Sequence, residues 1–193
     1  RDSGKMADDM NVSGWYAPAM NIHRSAFAGR NFEYYSEDGV LSGAMASNAI
    51  MGAQEQGVYA FMKHFALNDQ ETNRYGMLCT WSTEQAIREI YLKPFEECVK
   101  AAGCHAAMSS YNYIGNTYAG SCDALLNKVL RGEWGFVGMV LTDYYGVCGY
   151  QDADRLIRNG GDLCLVNYDT ETNHLTDTCL LYTSDAADDR ISV

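Results

Sequence analysis

Asp143 directly follows Val137-Gly138-Met139-Val140-Leu141-Thr142, a run apolar enough to form a buried strand, so its carboxylate is expected at a strand end and partly out of water. A carboxylate so placed stays ionised only if it is paired. Lys63 and the arginines Arg30 and Arg74 follow other apolar runs and are expected to supply that pairing, lowering the pKa of Asp143 and keeping it a nucleophile at neutral pH. Tyr111-Asn112 occupies the corresponding place after a third run. Lys63 and His64 are neighbours, and in a regular strand they would point to opposite faces. If both line one pocket the backbone there is irregular, which predicts a strained or cis non-proline peptide beside His64. Each residue taken singly also has a plain structural reading. Arg30 could pair with Glu33 or Glu37, Lys63 could be an exposed charge, and Asp143 could cap a loop. It is their joint placement after strand-like runs that points to a site.

The elements that must position these groups alternate along the chain. Short apolar runs beside turn residues predict strands over residues 14–20, 60–65, 105–110, 137–142 and 162–166. A helix is expected over residues 83–102, with Ile87, Ile90, Tyr91, Phe95, Cys98, Val99 and Ala102 on one face, Ser82-x-x-Gln85 as its capping pattern and Pro94 kinking or dividing it. A second helix should follow Asp38, pack through Val40, Leu41, Ala44 and Met45, and end at Gly57. A third uses Leu125, Leu126, Val129 and Leu130 and closes near Trp134, and helical turns over residues 152–158 precede Gly160 and Gly161. Strand and helix in regular alternation predict crossover connections and a largely parallel sheet, an α/β fold, either open or barrel. In such folds reactive groups come from the C-terminal strand ends, which is where the candidates lie.

Length and charge narrow the function classes. With Lys+Arg 14 against Asp+Glu 25 the chain carries a net charge of -11, which argues against nucleic acid, because binding to phosphates needs a basic surface. No stretch reaches the roughly 18 apolar residues of a membrane span, and nothing near Arg1 reads as a secretory signal. The seven cysteines form no CxxC pair and no metal-ligand spacing with the four histidines, so neither a metal nor another cofactor is expected. Such a scattered set suits reduced thiols in a cytoplasm. Residues 179–193 break into a polar run without apolar period. Reverse-translated, this run reads as the transposase mosaic-end adapter of sequencing-library preparation, so it is expected to be a non-native tail. The remaining residues 1–178 have too little chain for the roughly 250 residues of a complete eight-stranded barrel. They are expected to be a partial (β/α)8 domain, cut at both ends.

The candidate residues lie within a set of blocks that resembles glycoside hydrolase family 3, of the β-glucosidase type, over residues 15–169. The blocks are Ala17-Pro18-Ala19-Met20-Asn21-Ile22-His23-Arg24, Gly29-Arg30-Asn31-Phe32-Glu33 with Tyr35-Ser36-Glu37-Asp38, and Lys63-His64-Phe65 with Asn68 and Gln70-Glu71. After them come Ile90-Tyr91-Leu92 with Pro94-Phe95, Met108-Ser109-Ser110-Tyr111-Asn112, Leu130-Arg131-Gly132-Glu133-Trp134-Gly135-Phe136 and Thr142-Asp143-Tyr144. Their common order carries the resemblance. It implies a barrel in which Asp143 is the catalytic nucleophile and Arg30, Lys63, His64, Arg74 and Tyr111 hold a β-linked glucoside or related oligosaccharide. It also implies retaining double displacement, with the acid/base residue supplied by a following C-terminal α/β domain and a further sugar-binding aspartate upstream of Arg1.

Two departures qualify the resemblance. Thr142-Asp143-Tyr144 replaces the family's usual Ser-Asp-Trp, which changes the aromatic wall beside the nucleophile. Ala66-Leu67-Asn68-Asp69 stands where the N-acetylhexosaminidase branch has Pro-Gly-His-Gly, which argues against that branch. Glu33, Glu55 and Glu71 are read as ion-pair or loop-anchor residues rather than as the acid. Two other functions compete: Lys63 could form a Schiff base in a barrel aldolase, and the aromatic content could belong to a non-catalytic carbohydrate-binding fragment. For Trp15, Trp81 and Trp134, core packing is the expected role.

Overall fold

The computed structural model describes residues 1–166. The stretch read as an adapter-derived tail lies outside them, as do the last residues of the family-like region. Helix α1 (Asp2–Asp9) leads to β1 (Gly14–Trp15), and then come α2 (Gly39–Gln54), β2 (Tyr59–Phe65), β3 (Cys79–Thr80), α3 (Glu84–Ala86) and α4 (Lys93–Ala102). The second half holds β4 (Ala106–Ser109), β5 (Tyr113–Ile114), β6 (Thr117–Tyr118), the wide-turn π-helical segment Ala124–Glu133, β7 (Met139–Leu141) and α5 (Ala153–Arg158).

The main sheet has the order β1-β2-β4-β7, and every pair in it is parallel. Leu163 adds a parallel bridge to Leu141 on the far side, where a fifth strand was expected over residues 162–166. The order follows the chain without reversal, so all C-terminal strand ends lie along one edge. The two faces of the sheet are apolar in alternation. Ala60, Met62, Ala107 and Val140 join the large core with Ile50, Phe95, Leu126 and Leu130, whereas Phe61, Ala106, Met108 and Leu141 form a smaller cluster of their own. That period of two, with both sets buried, is what a parallel sheet covered on both sides requires.

The helices correct several expectations. The stretch over residues 83–102 is divided as Pro94 predicts: a short helix and the π-turn Ile87–Tyr91 stop at Leu92, and α4 starts afresh with Pro94 in its first turn. The cap is Thr83, whose hydroxyl accepts from the Ala86 N–H, rather than Ser82. Ile90 is exposed, because the π-turn rotates it off the buried face. Asp38 caps α2, accepting from the N–H groups of Val40 and Leu41 at 2.7 and 3.1 Å. The buried face of α2 is not Val40, Leu41, Ala44 and Met45, all of which are exposed. It is Ser42, Gly43, Ala46, Ser47, Ile50 and Ala53. Small residues win because α2 lies against α4 at very short range: a Cβ at Gly43 would come within 2.9 Å of the Glu97 side chain and 3.3 Å of the Pro94 backbone. The helix ends at Gln54, before Gly57, which takes a left-handed φ of 78° in the following turn. The segment Ala124–Glu133 buries Leu125, Leu126, Val129 and Leu130 and closes at Trp134, as its pattern predicts.

A second small sheet, β3-β5-β6, has no counterpart in the sequence reading; its strands are two residues each, too short to show alternation. It holds the loop after β2 against the loop after β4, two of the segments that carry candidate residues.

Candidate active site

The candidate residues come from the ends of β2, β4 and β7 and from the loop that follows β1. Asp143 stands two residues past β7. Its backbone N–H donates to the Ser109 carbonyl, and its Oδ1 accepts from the Tyr144 N–H at 2.8 Å. Its Oδ2 is buried, has no hydrogen-bond partner among the described residues, and lies 3.7 Å from His64 Nε2. The peptide joining Lys63 to His64 is cis, in agreement with the expected irregularity, and the β2–β4 register shifts between Met62 and Phe65.

Around Asp143 runs a chain of alternating charges. Arg30 Nε donates to Glu33, Lys63 Nζ lies 3.5 Å from the same carboxylate, Arg30 Nη1 reaches Glu71 at 3.8 Å, and Glu71 pairs with Arg74 at 3.1 Å. The Arg74 guanidinium lies over the Tyr111 ring, 4.8 Å from its centroid, and over Tyr75 at 4.7 Å. Tyr111 donates its hydroxyl to the Tyr144 carbonyl at 2.8 Å. Arg30, Lys63, His64, Arg74, Tyr111 and Asp143 therefore gather in one cluster, in which three cations face three carboxylates. Glu33 and Glu71 act as the ion-pair partners expected of them, and Glu55 is elsewhere, near Arg1 at the end of α2.

The electrostatics correct one expectation. The carboxyl of Asp143 is pushed up from its ordinary range by burial; the Tyr144 N–H, Arg74, Arg30 and Lys63 oppose this rise without reversing it. His64 is held well below the usual imidazole range by burial, reinforced by Arg30, Lys63 and Arg74, so it is neutral near pH 7. Tyr111 is pushed up by burial and by Asp143 and keeps its proton.

Several further groups support the site. Asn21 grips both backbone groups of His64, accepting from its N–H at 2.8 Å and donating to its carbonyl at 3.0 Å. Tyr150 donates to the Tyr111 carbonyl at 2.8 Å and to the Arg74 carbonyl at 3.3 Å, tying together the loops after β7, β4 and β2. Gln151 accepts from the Gly146 and Cys148 N–H groups, which shapes the turn after Asp143. Only the position of Asn21 after the first apolar run was legible; Tyr150 and Gln151 lie in a loop without periodicity. Trp15 and Trp134 pack against the core as expected, whereas Trp81 is exposed.

Residues 1–163 match the family model described as the glycosyl hydrolase family 3 N terminal domain. A β-glucosidase of Rhizobium radiobacter is 50% identical over 143 residues, which are 74% of this chain and 17% of that protein. Beta-glucosidase B of Emericella nidulans is 47% identical over 151 residues, 77% of this chain and 18% of that one. The chain thus spans less than a fifth of the length of these curated relatives. Among solved structures, beta-glucosidase 3B from Thermotoga neapolitana in complex with alpha-D-glucose superposes with a TM-score of 0.80 at 46% identity, over 84% of this chain and 22% of that one. A family 3 β-glucosidase from Bifidobacterium adolescentis gives a TM-score of 0.82 at 36% identity, over 88% of this chain and 24% of that one.

Proposed function

The chain belongs to glycosyl hydrolase family 3, and on that premise we propose that it is the nucleophile-bearing part of a retaining β-glucosidase acting on β-linked glucosides or related oligosaccharides. Residues 1–178 are then a part of an N-terminal (β/α)8 domain. The single-wound strand order and the second apolar cluster, formed by the side chains of the opposite sheet face, support a barrel over an open doubly wound sheet.

The observation that carries the reading is the state of Asp143. Its Oδ1 is held by a backbone N–H, while Oδ2 has no hydrogen-bond partner among the described residues, and Arg74, Arg30 and Lys63 act on the carboxylate electrostatically. A carboxylate oxygen so arranged attacks the anomeric carbon as the leaving oxygen departs, and the three cations favour its anionic form, opposing burial without cancelling it. The leaving oxygen takes its proton from an acid that the C-terminal α/β domain of the parent contributes. The same group, then a base, removes a proton from the water that cleaves the glycosyl–Asp143 ester and restores the carboxylate. Arg30, Lys63, Arg74 and neutral His64 offer donors to sugar hydroxyls, and the buried Tyr111 ring supports Arg74 from beneath. The aldolase alternative is not favoured, since Lys63 faces Glu33 instead of the apolar pocket that a Schiff-base lysine needs.

The test is a full-length relative carrying residues 14–166 of this chain. It should hydrolyse an aryl β-glucoside, and Asp143→Asn should lower kcat by about 10³-fold or more while leaving the fold unchanged. Turnover retained by that variant would remove Asp143 from the nucleophile's role.

A further inference from the structure

The loop after β2 serves two neighbouring places. Glu71 and Arg74 belong to the cluster around Asp143, whereas Asp69, Gln70 and Thr72 line a cavity of about 380 Å³ that also includes Arg24 and Phe27. A second cavity, of about 230 Å³, shares Arg24, Asp69 and Gln70 and reaches Trp81. The three common residues make the two cavities one groove, of a size that small-ligand sites occupy.

Its lining is unusual in two respects. Asp69 is 95% buried, yet only its Oδ1 is used, accepting from the Ile22 N–H at 2.9 Å; Oδ2 has no hydrogen-bond partner among the described residues. A buried carboxylate oxygen without a donor is costly and marks a place where a donor from outside fits. At the two ends stand Phe27 and Trp81, 92% and 73% exposed, large apolar surfaces left in water. Trp81 is steadied by the β5–β6 turn, where a Cβ at Gly115 would touch its ring at 3.6 Å.

The ligand chemistry follows from these groups. Asp69 repels an anion such as phosphate, and Arg24 repels a simple cation. What suits an acceptor, a guanidinium and an amide between two aromatic surfaces is a neutral molecule with several hydroxyls and an apolar C–H face, which describes a pyranose ring. The geometry points to a second saccharide-binding site, a groove from Phe27 to Trp81 centred on Arg24, Asp69 and Gln70, that holds a sugar unit outside the Asp143 cluster. It rests on the β-glucosidase reading only for the choice of a β-linked glucan as its ligand.

The test uses the 193-residue chain with cellotetraose as probe, following indole emission and saturation transfer to the sugar. Wild type should bind it, Trp81→Ala and Arg24→Ala should each weaken binding about tenfold, and Leu41→Glu, on the exposed face of α2, should change it by less than about twofold. Phe27→Ala, at a still more exposed position, should also weaken binding, so loss of a core contact does not confuse the result. Absence of binding by wild type, or groove variants that bind within about twofold of it, would overturn the proposal. Labelling of Asp143 is a separate measurement, so failure of the groove and failure of the nucleophile assignment are told apart.

Discussion

His64 Nε2 lies 3.7 Å from Asp143 Oδ2, at a point where burial weakens the charge of both groups. The distance is longer than a hydrogen bond, and the imidazole is neutral, so the two face each other as a potential donor and an unoccupied acceptor rather than as an ion pair. Both can remain there because Arg30, Lys63 and Arg74 favour the anion on Asp143 and disfavour the cation on His64.

His64 titrates against its own burial. Its folded-state pKa is depressed below the unfolded value near 6.5, so the unfolded chain binds the extra proton. The stability contribution is complete above pH 6.5 and is lost as the pH falls below it. Nitrogen NMR should show a neutral ring throughout the range from about pH 6 to 8. Replacing Lys63 by Met should move the His64 titration upward, and an unchanged titration would mean that the cations do not set it.

Asp69 has the opposite sign. Burial pushes its carboxyl up to about 6, against the Ile22 N–H and Arg24, so the folded chain holds the proton longer than the unfolded chain does. Stability from this group is full below the ordinary carboxylate pKa and is lost as the pH rises through about 6. The shift of about two units corresponds to roughly 3 kcal/mol, and Asp69→Asn should recover much of this at pH 7. Urea unfolding of both proteins at pH 4 and pH 7 checks it: the gap should widen at the higher pH.

Asn21 is the positioning residue for His64. Asn21→Ala leaves a buried N–H and a buried carbonyl of His64 without partners, and this should cost about 2–5 kcal/mol in urea unfolding. Asn21→Asp keeps the acceptor and loses the donor, so it should fall between the two.

The close contact of α2 and α4 makes a contrast testable. Gly43→Leu should destabilise the chain by about 1–3 kcal/mol, because Glu97 and the Pro94 backbone have to move. Leu41→Glu, on the exposed side, should stay within about 0.5 kcal/mol. A reversed order in thermal unfolding would contradict the packing described for this helix.

That helix also shows where the sequence misleads. Val40, Leu41 and Met45 are the large apolar residues in the first half of α2, and amphipathic reasoning buries them. Close approach to α4 instead selects Gly43, Ala46 and Ser47, which no hydropathy pattern marks. Where burial depends on large side chains, as in Leu125, Leu126, Val129 and Leu130, the pattern reads correctly. The site was legible for a topological reason: consecutive parallel strands put their C-terminal ends on one edge, so polar residues after apolar runs converge. The balance of forces on Asp143 was not legible. Proximity to cations was visible in the residue types, but the extent of its burial, which outweighs them, depends on how the segments around it pack. Glu33 and Glu71 were legible as ion-pair residues, whereas Tyr150 and Gln151 as ties across loops follow from three-dimensional contacts between segments without periodicity.

The most direct measurement is the mass of peptides from the chimeric full-length enzyme after treatment with 2,4-dinitrophenyl 2-deoxy-2-fluoro-β-D-glucoside, whose leaving group departs without protonation and whose fluorine slows the second step. The account predicts one fluoroglucosyl adduct, on the peptide containing Asp143, and none in Asp143→Asn. An adduct on a different carboxylate, or continued turnover with no adduct at all, would contradict it.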